Sequence, residues 1–248
     1  MGVTGTEPLG IVSLNGTTGQ PTVPSCDRTY NSRMATLTLL GAGDEAELDA
    51  FLVAHADSSL FLRGNLRRGL VDRGERLQGT YVAARDDADI VAVAAHFRNG
   101  WLVVQGQLDI IGDLARDATA RSGRGVKGIN GPYAQVVAAR AALGLERLPA
   151  RLDSREGLFA LALADLRVPP PLNEGRWTCR HPVAEDRIDL ARWSYGYEVE
   201  SLNATPSPED EQRALAELEP DPSSWVPELV PRWQRQPAAR AVAVRARA

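Results

Sequence analysis

The stretch GTYVAARDDADIVAVAAHFRNGWLVVQG, Gly79–Gly106, decides the fold. It contains three short runs rich in Val, Ala and aromatic residues, namely Tyr81–Arg85, Ile90–Phe97 and Trp101–Gln105. The segments DDAD and RNG separate these runs and are short polar segments of the kind that turn a hairpin. We therefore predict a three-stranded antiparallel meander. Because its strands are apolar over their whole length, we expect helices on both faces of the sheet.

The flanking sequence supplies those helices and further strands. Upstream, we predict a strand at Thr36–Leu40, a helix beginning at Asp44 and a second helix from about Ser59. Downstream, we predict a helix at Asp109–Arg121, a strand at Gly125–Ile129, a helix from Pro132 to Leu143 and a strand at Gly157–Ala164. This order of elements indicates an α+β fold with a mixed, mostly antiparallel sheet flanked by helices.

The two ends of the chain differ in composition from the middle. Residues 1–33 are rich in Gly, Thr, Pro and Ser without a sustained period, so we expect disorder there. Met34 directly precedes the first predicted strand, which suggests the hypothesis that translation starts at Met34. Residues 220–248 are rich in Pro, Arg and Ala and are also expected to be disordered, and a frameshift or truncation would explain such a tail.

A proline-rich stretch, 169–175, is the predicted linker between two lobes. The first lobe is then 34–168 and the second begins at 176–219. In the second lobe we predict a strand at Trp177–Arg180, a helix at Ala184–Leu202 and another helix from Ser207 or Asp210 to about Leu218. The order strand, helix, helix thus starts again, as in a structural repeat.

Composition excludes several classes of function. The chain has 248 residues, 44% of them hydrophobic and 24% charged, and its formal net charge is −4, which gives no reason to expect nucleic acid or an anionic membrane as partner. No apolar run approaches the roughly 20 residues that span a bilayer, so we expect a cytoplasmic protein. Cys26 and Cys179 lie far apart without metal-ligand spacing, and we interpret both as free thiols. Lys127 is the only lysine, which indicates a gene of high G+C content and weakens any argument from arginine pairs alone.

Four phrases, together with the order of elements, resemble the GCN5-related N-acetyltransferase (GNAT) superfamily. They are FLRGNLRRGL at 61–70, GTYVAARDDADIVAVAAHFRNG at 79–100, GPYAQVVAARAALGL at 131–145 and RLDSREGLFALALADLRVPP at 151–170. The likeness is greatest to the bacterial two-lobed form, in which a degenerate N-terminal lobe precedes an active one. The resemblance implies transfer of an acetyl group from acetyl-CoA to an amine acceptor.

The resemblance also places the cofactor. In that fold acetyl-CoA lies between the fourth and fifth strands, and backbone N–H groups at the start of the next helix hold its pyrophosphate. The matching segment here, GQLDIIGD at 106–113, lacks the family's repeated glycines, and Asp109 and Asp113 would repel a pyrophosphate. We therefore expect no acetyl-CoA binding in this lobe. The family's usual acid is a tyrosine four residues before the glycine that ends the following helix, but that position before Gly144 is Arg140, which cannot donate a proton near neutral pH.

Other residues have a structural and a functional interpretation. In the first lobe they are the Asn65, Arg67 and Arg68 cluster, His96, Tyr133 and the turn Ser122-Gly123-Arg124-Gly125. In the second lobe they are Arg192, Trp193, Tyr195, Tyr197 and Glu198, on the helix that in this family often borders the acceptor. For each we favour the structural interpretation: a solvated helix face, a core histidine, packing, a turn and an amphipathic helix.

The resulting prediction is an acetyltransferase-family member whose chain lacks a working site, with catalytic and cofactor-binding residues unassigned and no metal. The alternative is a non-catalytic GNAT-like module that docks a partner chain or a second copy through a sheet edge or the 65–68 helix. A third possibility is a gene fragment that exposes apolar side chains around Leu190, Trp193 and Val199. A CoA-shaped gap between the strands at 101–105 and 125–129 would favour the enzyme, whereas a gap filled by side chains would favour the module.

Overall fold

The computed structural model describes residues 8–14, 35–158, 163–201, 208, 212 and 226–229. The chain divides into two compact units, Met1–Leu161 and Ala162–Ala248. The elements of the first unit are β1 (Leu9–Leu14), β2 (Thr36–Leu39), α1 (Glu45–Ala54), α2 (Leu60–Leu66), β3 (Gly79–Asp86), β4 (Asp89–Phe97), β5 (Trp101–Gly106), α3 (Leu108–Ser122), β6 (Gly128–Pro132), α4 (Tyr133–Ala142) and β7 (Ala150–Glu156). Those of the second are α5 (Pro170–Asn173), β8 (Trp177–Arg180), α6 (Arg187–Ser201) and β9 (Val226–Leu229), with 3₁₀ turns at Leu163–Asp165 and Ala184–Asp186.

The first unit is built on a seven-stranded sheet of order β2-β3-β4-β5-β6-β1-β7. Neighbouring strands are antiparallel except β5 and β6, which are parallel and joined by α3. The predicted meander is confirmed as β3, β4 and β5. The predicted α+β class with a mixed, mostly antiparallel sheet is also confirmed.

Helices cover both faces of this sheet, as its apolar strands require. On one face α3 and α4 contribute Ile111, Leu114 and Val136 to a core with the strands. On the other face α1 and α2 contribute Leu48 and Leu62 to a second core. The alternation of side chains along β3, β4 and β5 divides the residues of these strands between the two cores.

The prediction of disorder for residues 1–33 is wrong for Leu9–Leu14, which form β1. This strand lies inside the sheet, antiparallel to β6 on one side and to β7 on the other. Leu9, Val12 and Leu14 are buried. Residues 1–7 and 15–34, with Cys26 and Met34 among them, lie outside the described residues. This six-residue segment, flanked by Gly, Thr and Pro, is too short to show an alternation of apolar and polar residues. It is a strand because it pairs with β6 and β7.

The last strand of the first unit is also misplaced in the sequence-based prediction. It is β7, the polar segment ARLDSRE at Ala150–Glu156, and the predicted strand at Gly157–Ala164 is wrong where the structure describes it, since Leu163–Asp165 is a 3₁₀ turn. β7 ends the sheet, so only one of its edges is paired and most of its side chains are exposed. Such an edge strand needs no continuous apolar run.

The strand predicted at Gly125–Ile129 is shifted by three residues and is β6, Gly128–Pro132. Pro132 does not begin the helix but ends this strand, with φ −52° and ψ 137°. Its extended backbone is the conformation that precedes the first helical residue, Tyr133.

In the second unit, the predicted strand at Trp177–Arg180 is observed as β8, and the predicted helix at Ala184–Leu202 is observed as α6 after a 3₁₀ turn. The prediction of disorder for 220–248 is wrong for Val226–Leu229, which form β9 and pair antiparallel with β8. β9 supplies the ladder partner that β8 needs. Among the described residues, no helix has both the length and the apolar character needed to cross a bilayer.

Deleting residues 1–33 should destabilise the first unit, because β6 and β7 would each lose a ladder partner and three buried side chains of β1 would be lost. We expect a loss on the order of 5 kcal/mol in the free energy of unfolding. The measurement is urea unfolding followed by far-UV circular dichroism. Deletion of residues 1–7 is the control, since it keeps β1. Equal midpoints for the two deletions would contradict the central role of β1.

Candidate functional site

The place where the resemblance puts acetyl-CoA is the boundary between β5 and β6. Their parallel ladder covers only Trp101–Val103 and Gly128–Asn130. Beyond it the two backbones still lie close together, because a Cβ atom at Gly131 would be 2.5 Å from the carbonyl oxygen of Val104. Only glycine permits this approach. The two strands therefore leave no room for an extended ligand at this level.

Two residues further along β5, at Gly106, a side chain fills the boundary. Gln135 reaches from the first turn of α4 and makes two hydrogen bonds with the backbone of Gly106. The Gly106 N–H donates to Oε1 at 3.0 Å, and Nε2 donates to the Gly106 carbonyl at 2.7 Å. The Gln135 side chain is buried. The backbone groups at the end of β5 are thus satisfied from within the protein.

The start of α3 is where the resemblance to the superfamily places the pyrophosphate loop. Its N-cap residue, Gln107, has extended backbone and makes no capping bond with its side chain. Asp109 is exposed in the first turn, and Asp113 pairs with Arg116 one turn later. A carboxylate in the first turn complements the positive end of the helix dipole itself and repels a second anion. The position of Asp109 and Asp113 agrees with the sequence-based expectation.

Arg140 lies at the position where the resemblance expects an acid, and Tyr133 is the tyrosine at the start of α4. Both side chains make structural contacts. Arg140 donates hydrogen bonds to the carbonyls of Leu145, Glu146 and Leu148 and to the Asp153 carboxylate at 2.6 Å, so it joins α4 to the following loop and to β7. Tyr133 is partly exposed, and the guanidinium carbon of Arg155 lies 5.2 Å from its ring centroid, a cation–π contact. Both side chains line a cleft of about 230 Å³ beside β1.

An open cleft of about 580 Å³ lies between α1 and the ends of β4 and β5. Its lining includes Phe51, His55, Ile90 and Val91, with Glu47, Asp89 and Gln107 among its polar members. Arg85 makes two hydrogen bonds to Glu47, one of them 2.7 Å between Nη2 and Oε2, and lowers the pKa of that carboxyl. A carboxylate held in this way is a poor base for an amine.

His96 is a buried histidine in the first unit. It is fully buried on β4, and its Nδ1 lies 2.7 Å from Ser122 Oγ at the end of α3. Its Nε2 has no hydrogen-bond partner among the described residues. Burial lowers the pKa of His96 to about 4, and the nearby Arg124 charge acts in the same direction.

Ser122-Gly123-Arg124-Gly125 is the predicted turn. Gly123 ends α3 with a left-handed φ of +64°. Arg124 then turns back to the sheet and donates to the carbonyl of His96 at 2.9 Å and to Asp72 at 2.9 Å. The glycine-rich, basic segment therefore joins the helix to the sheet.

The other candidate residues remain on surfaces. Asn65 is half-buried, whereas Arg67 and Arg68 are exposed at the end of α2. On α6, Arg192 is exposed and lies 3.8 Å from Asp189, Tyr197 is exposed, and Trp193 and Tyr195 are half-buried. Glu198 belongs to α6, and its side chain lies outside the described residues. Leu190, Trp193 and Val199, which a gene fragment would expose, are half-buried. Cys179 is an exposed free thiol.

Within the described ranges, no three histidine, cysteine or carboxylate side chains are grouped as metal ligands. Comparison of the chain with protein-family models, with curated proteins and with solved structures gave no match.

The two residues that decide the site, Gly131 and Gln135, were not singled out from the sequence. A GlyPro pair before a helix suggests a turn, and a glutamine in a first helical turn suggests a solvated face. The sequence gives one signal for the role of Gln135, namely the length of its side chain. That length lets it reach the end of β5, which the short ladder between β5 and β6 leaves unpaired.

Replacing Gln135 by alanine should lower the free energy of unfolding by about 1–3 kcal/mol, because the Gly106 N–H and C=O would lose their partners. Gln107→Ala is the matched control, since this neighbouring glutamine is exposed and makes no capping bond. Its effect should stay within about 0.5 kcal/mol. The measurement is urea unfolding, and equal losses in both variants would contradict the bridging role of Gln135.

Stability should fall as the pH drops, because the unfolded chain protonates His96 near pH 6.5 and the folded chain only near 4. The stability that neutral His96 contributes is fully present above pH 6.5, and about 2 kcal/mol of it is lost between pH 7 and pH 5. His96→Asn should remove this part of the slope. Ser122→Ala, which keeps the buried imidazole, should lower stability at every pH and retain the slope. Parallel slopes for the wild type and His96→Asn would contradict the assignment.

Proposed function

We propose that the first unit is a GNAT-like lobe that does not bind acetyl-CoA and that serves as a non-catalytic binding module. The fold part of this proposal is supported by the order of elements and by the sheet. The sheet is antiparallel except for one parallel pair, that pair is joined by a 15-residue helix, and two helices lie on each face. The same features accompany the four phrases that resemble the superfamily.

The observation that carries the functional part is the closed boundary between β5 and β6. A ligand that extends the edge of β5 needs free backbone groups beyond the ladder. Here Gln135 holds both groups of Gly106, and Gly131 packs against the Val104 carbonyl. The residues present do not fit acetyl-CoA, and a boundary filled by the protein's own atoms is the condition that favours a binding module.

Three residues considered as acid or base for acetyl transfer have other roles in this lobe. Direct attack of an amine on a thioester needs precise positioning, a base for the amine and an acid for the thiolate. Arg140 stands at the acid position and is engaged in four hydrogen bonds, Glu47 is held by Arg85, and His96 is fully buried. These three groups are therefore committed to the structure of the lobe.

Calorimetric titration of the full chain with acetyl-CoA tests this function. At tens of micromolar protein we expect no saturable heat, because the cofactor would have to displace Gln135 and meet Asp109. CoA lacking the acetyl group is the second titrant, and it should give the same result. Saturable binding of either compound would overturn the proposal and restore the family's acetyltransferase activity as the leading function.

A further inference from the structure

Charge is separated between the two ends of the sheet in the first unit. Seven basic residues lie at the end where β3, β5 and β6 begin: Arg67, Arg68, Arg73, Arg76, Arg98, Arg124 and Lys127. The carboxylates near them are Asp72, Glu75 and Glu45, which lies beside Leu70. At the opposite end the β3–β4 turn and the start of α3 carry Asp86, Asp87, Asp89 and Asp109. We call the first group the basic end and the second the acidic end.

Part of the basic end is not neutralised. Asp72 is already shared by Arg98 at 2.5 Å and Arg124 at 2.9 Å, and Glu75 lies 3.6 Å from Arg68. Arg67, Arg73 and Arg76 are exposed, and within the described part of the chain their guanidinium groups contact no carboxylate. These three side chains therefore present unpaired positive charge to a partner.

The loop that carries these arginines is held in one conformation. The buried Gln78 accepts hydrogen bonds from the backbone N–H groups of Arg73 and Glu75 and donates to the carbonyl of Arg68. The Asn99 N–H donates to the carbonyl of Arg76, which joins the loop to the β4–β5 turn. A loop fixed in this way loses little backbone freedom when it binds.

The two ends act as separate electrostatic surfaces. β4 has nine residues and runs from one end to the other, a length of about 30 Å. The Debye length is about 10 Å at 0.1 M salt, so neither end cancels the field of the other. The chain's net charge of −4 consequently does not prevent the basic end from attracting an acidic surface.

We propose that the basic end docks onto the acidic end of a second copy of this chain. Complementary charge is the reason for choosing this occupant, since the same chain carries a basic and an acidic surface at opposite ends of one sheet. The inference builds on the proposed binding function and names its partner. It is measured without acetyl-CoA, so either proposal can fail while the other stands.

A contact between two different surfaces does not close on itself as a two-fold dimer does. Each added copy presents a new acidic end, so the average mass should rise with protein concentration without a plateau at the dimer. The attraction is between exposed charges and should therefore weaken with salt.

Sedimentation velocity of the full chain at about 20 mM and about 500 mM NaCl tests the proposal. We expect association at low salt and monomer at high salt. Arg73→Glu with Arg76→Glu, and separately Asp89→Lys with Asp109→Lys, should each give monomer at low salt. A one-to-one mixture of the two variants should associate again, because the basic end of one variant meets the acidic end of the other.

The control is Arg167→Glu with Arg192→Glu, two exposed arginines of the second unit, which should associate like the wild type. Urea midpoints show whether each variant is folded. A monomeric wild type at low salt would overturn the proposal, as would association that persists in both end variants or a control as monomeric as they are. Binding of single-stranded DNA by a monomeric wild type would assign the basic end to nucleic acid instead.

Discussion

The first unit depends on the two ladders that β1 makes with β6 and β7. Without β1 the sheet would end at β6, and β7 would have no strand to pair with. Val12 and Leu14 also belong to the core beneath α3 and α4, so the strand contributes to packing as well as to pairing. The position of α4, and with it of Gln135 and Arg140, rests on this segment from the N-terminal side of the chain.

Much of the fold follows from the sequence because it is encoded locally. The meander is bounded by polar turns, its strands are apolar, and β8 is bounded by polar residues, so each is recognisable by itself. β1 and β7 are different. β1 is short and β7 is polar, and both become strands through partners distant in the chain. No local pattern encodes such pairing, because tertiary contacts override local preference.

At the candidate site, too, some features follow from the local sequence and others depend on tertiary contacts. Asp109, Asp113 and Arg140 depart, at fixed positions in the sequence, from the pattern of the superfamily that the sequence resembles. The expectation of no acetyl-CoA binding rests on these residues alone. The closed boundary could not be read in this way, because it depends on how near Gly131 comes to Val104 and on where the Gln135 side chain points. Both are consequences of strand register and helix placement.

The pairing of β1 with β7 has a consequence for folding. Leu9 pairs with Glu156, so β1 cannot complete its pairing until β7, the last described strand of this unit, has been synthesised. Contacts this distant in sequence form slowly, because the entropy of closing a long loop must be overcome first. The meander can form from local contacts while the outer edge of β6 still lacks β1. During that interval the nascent chain has an unpaired strand edge, the feature through which incompletely folded proteins aggregate or exchange strands.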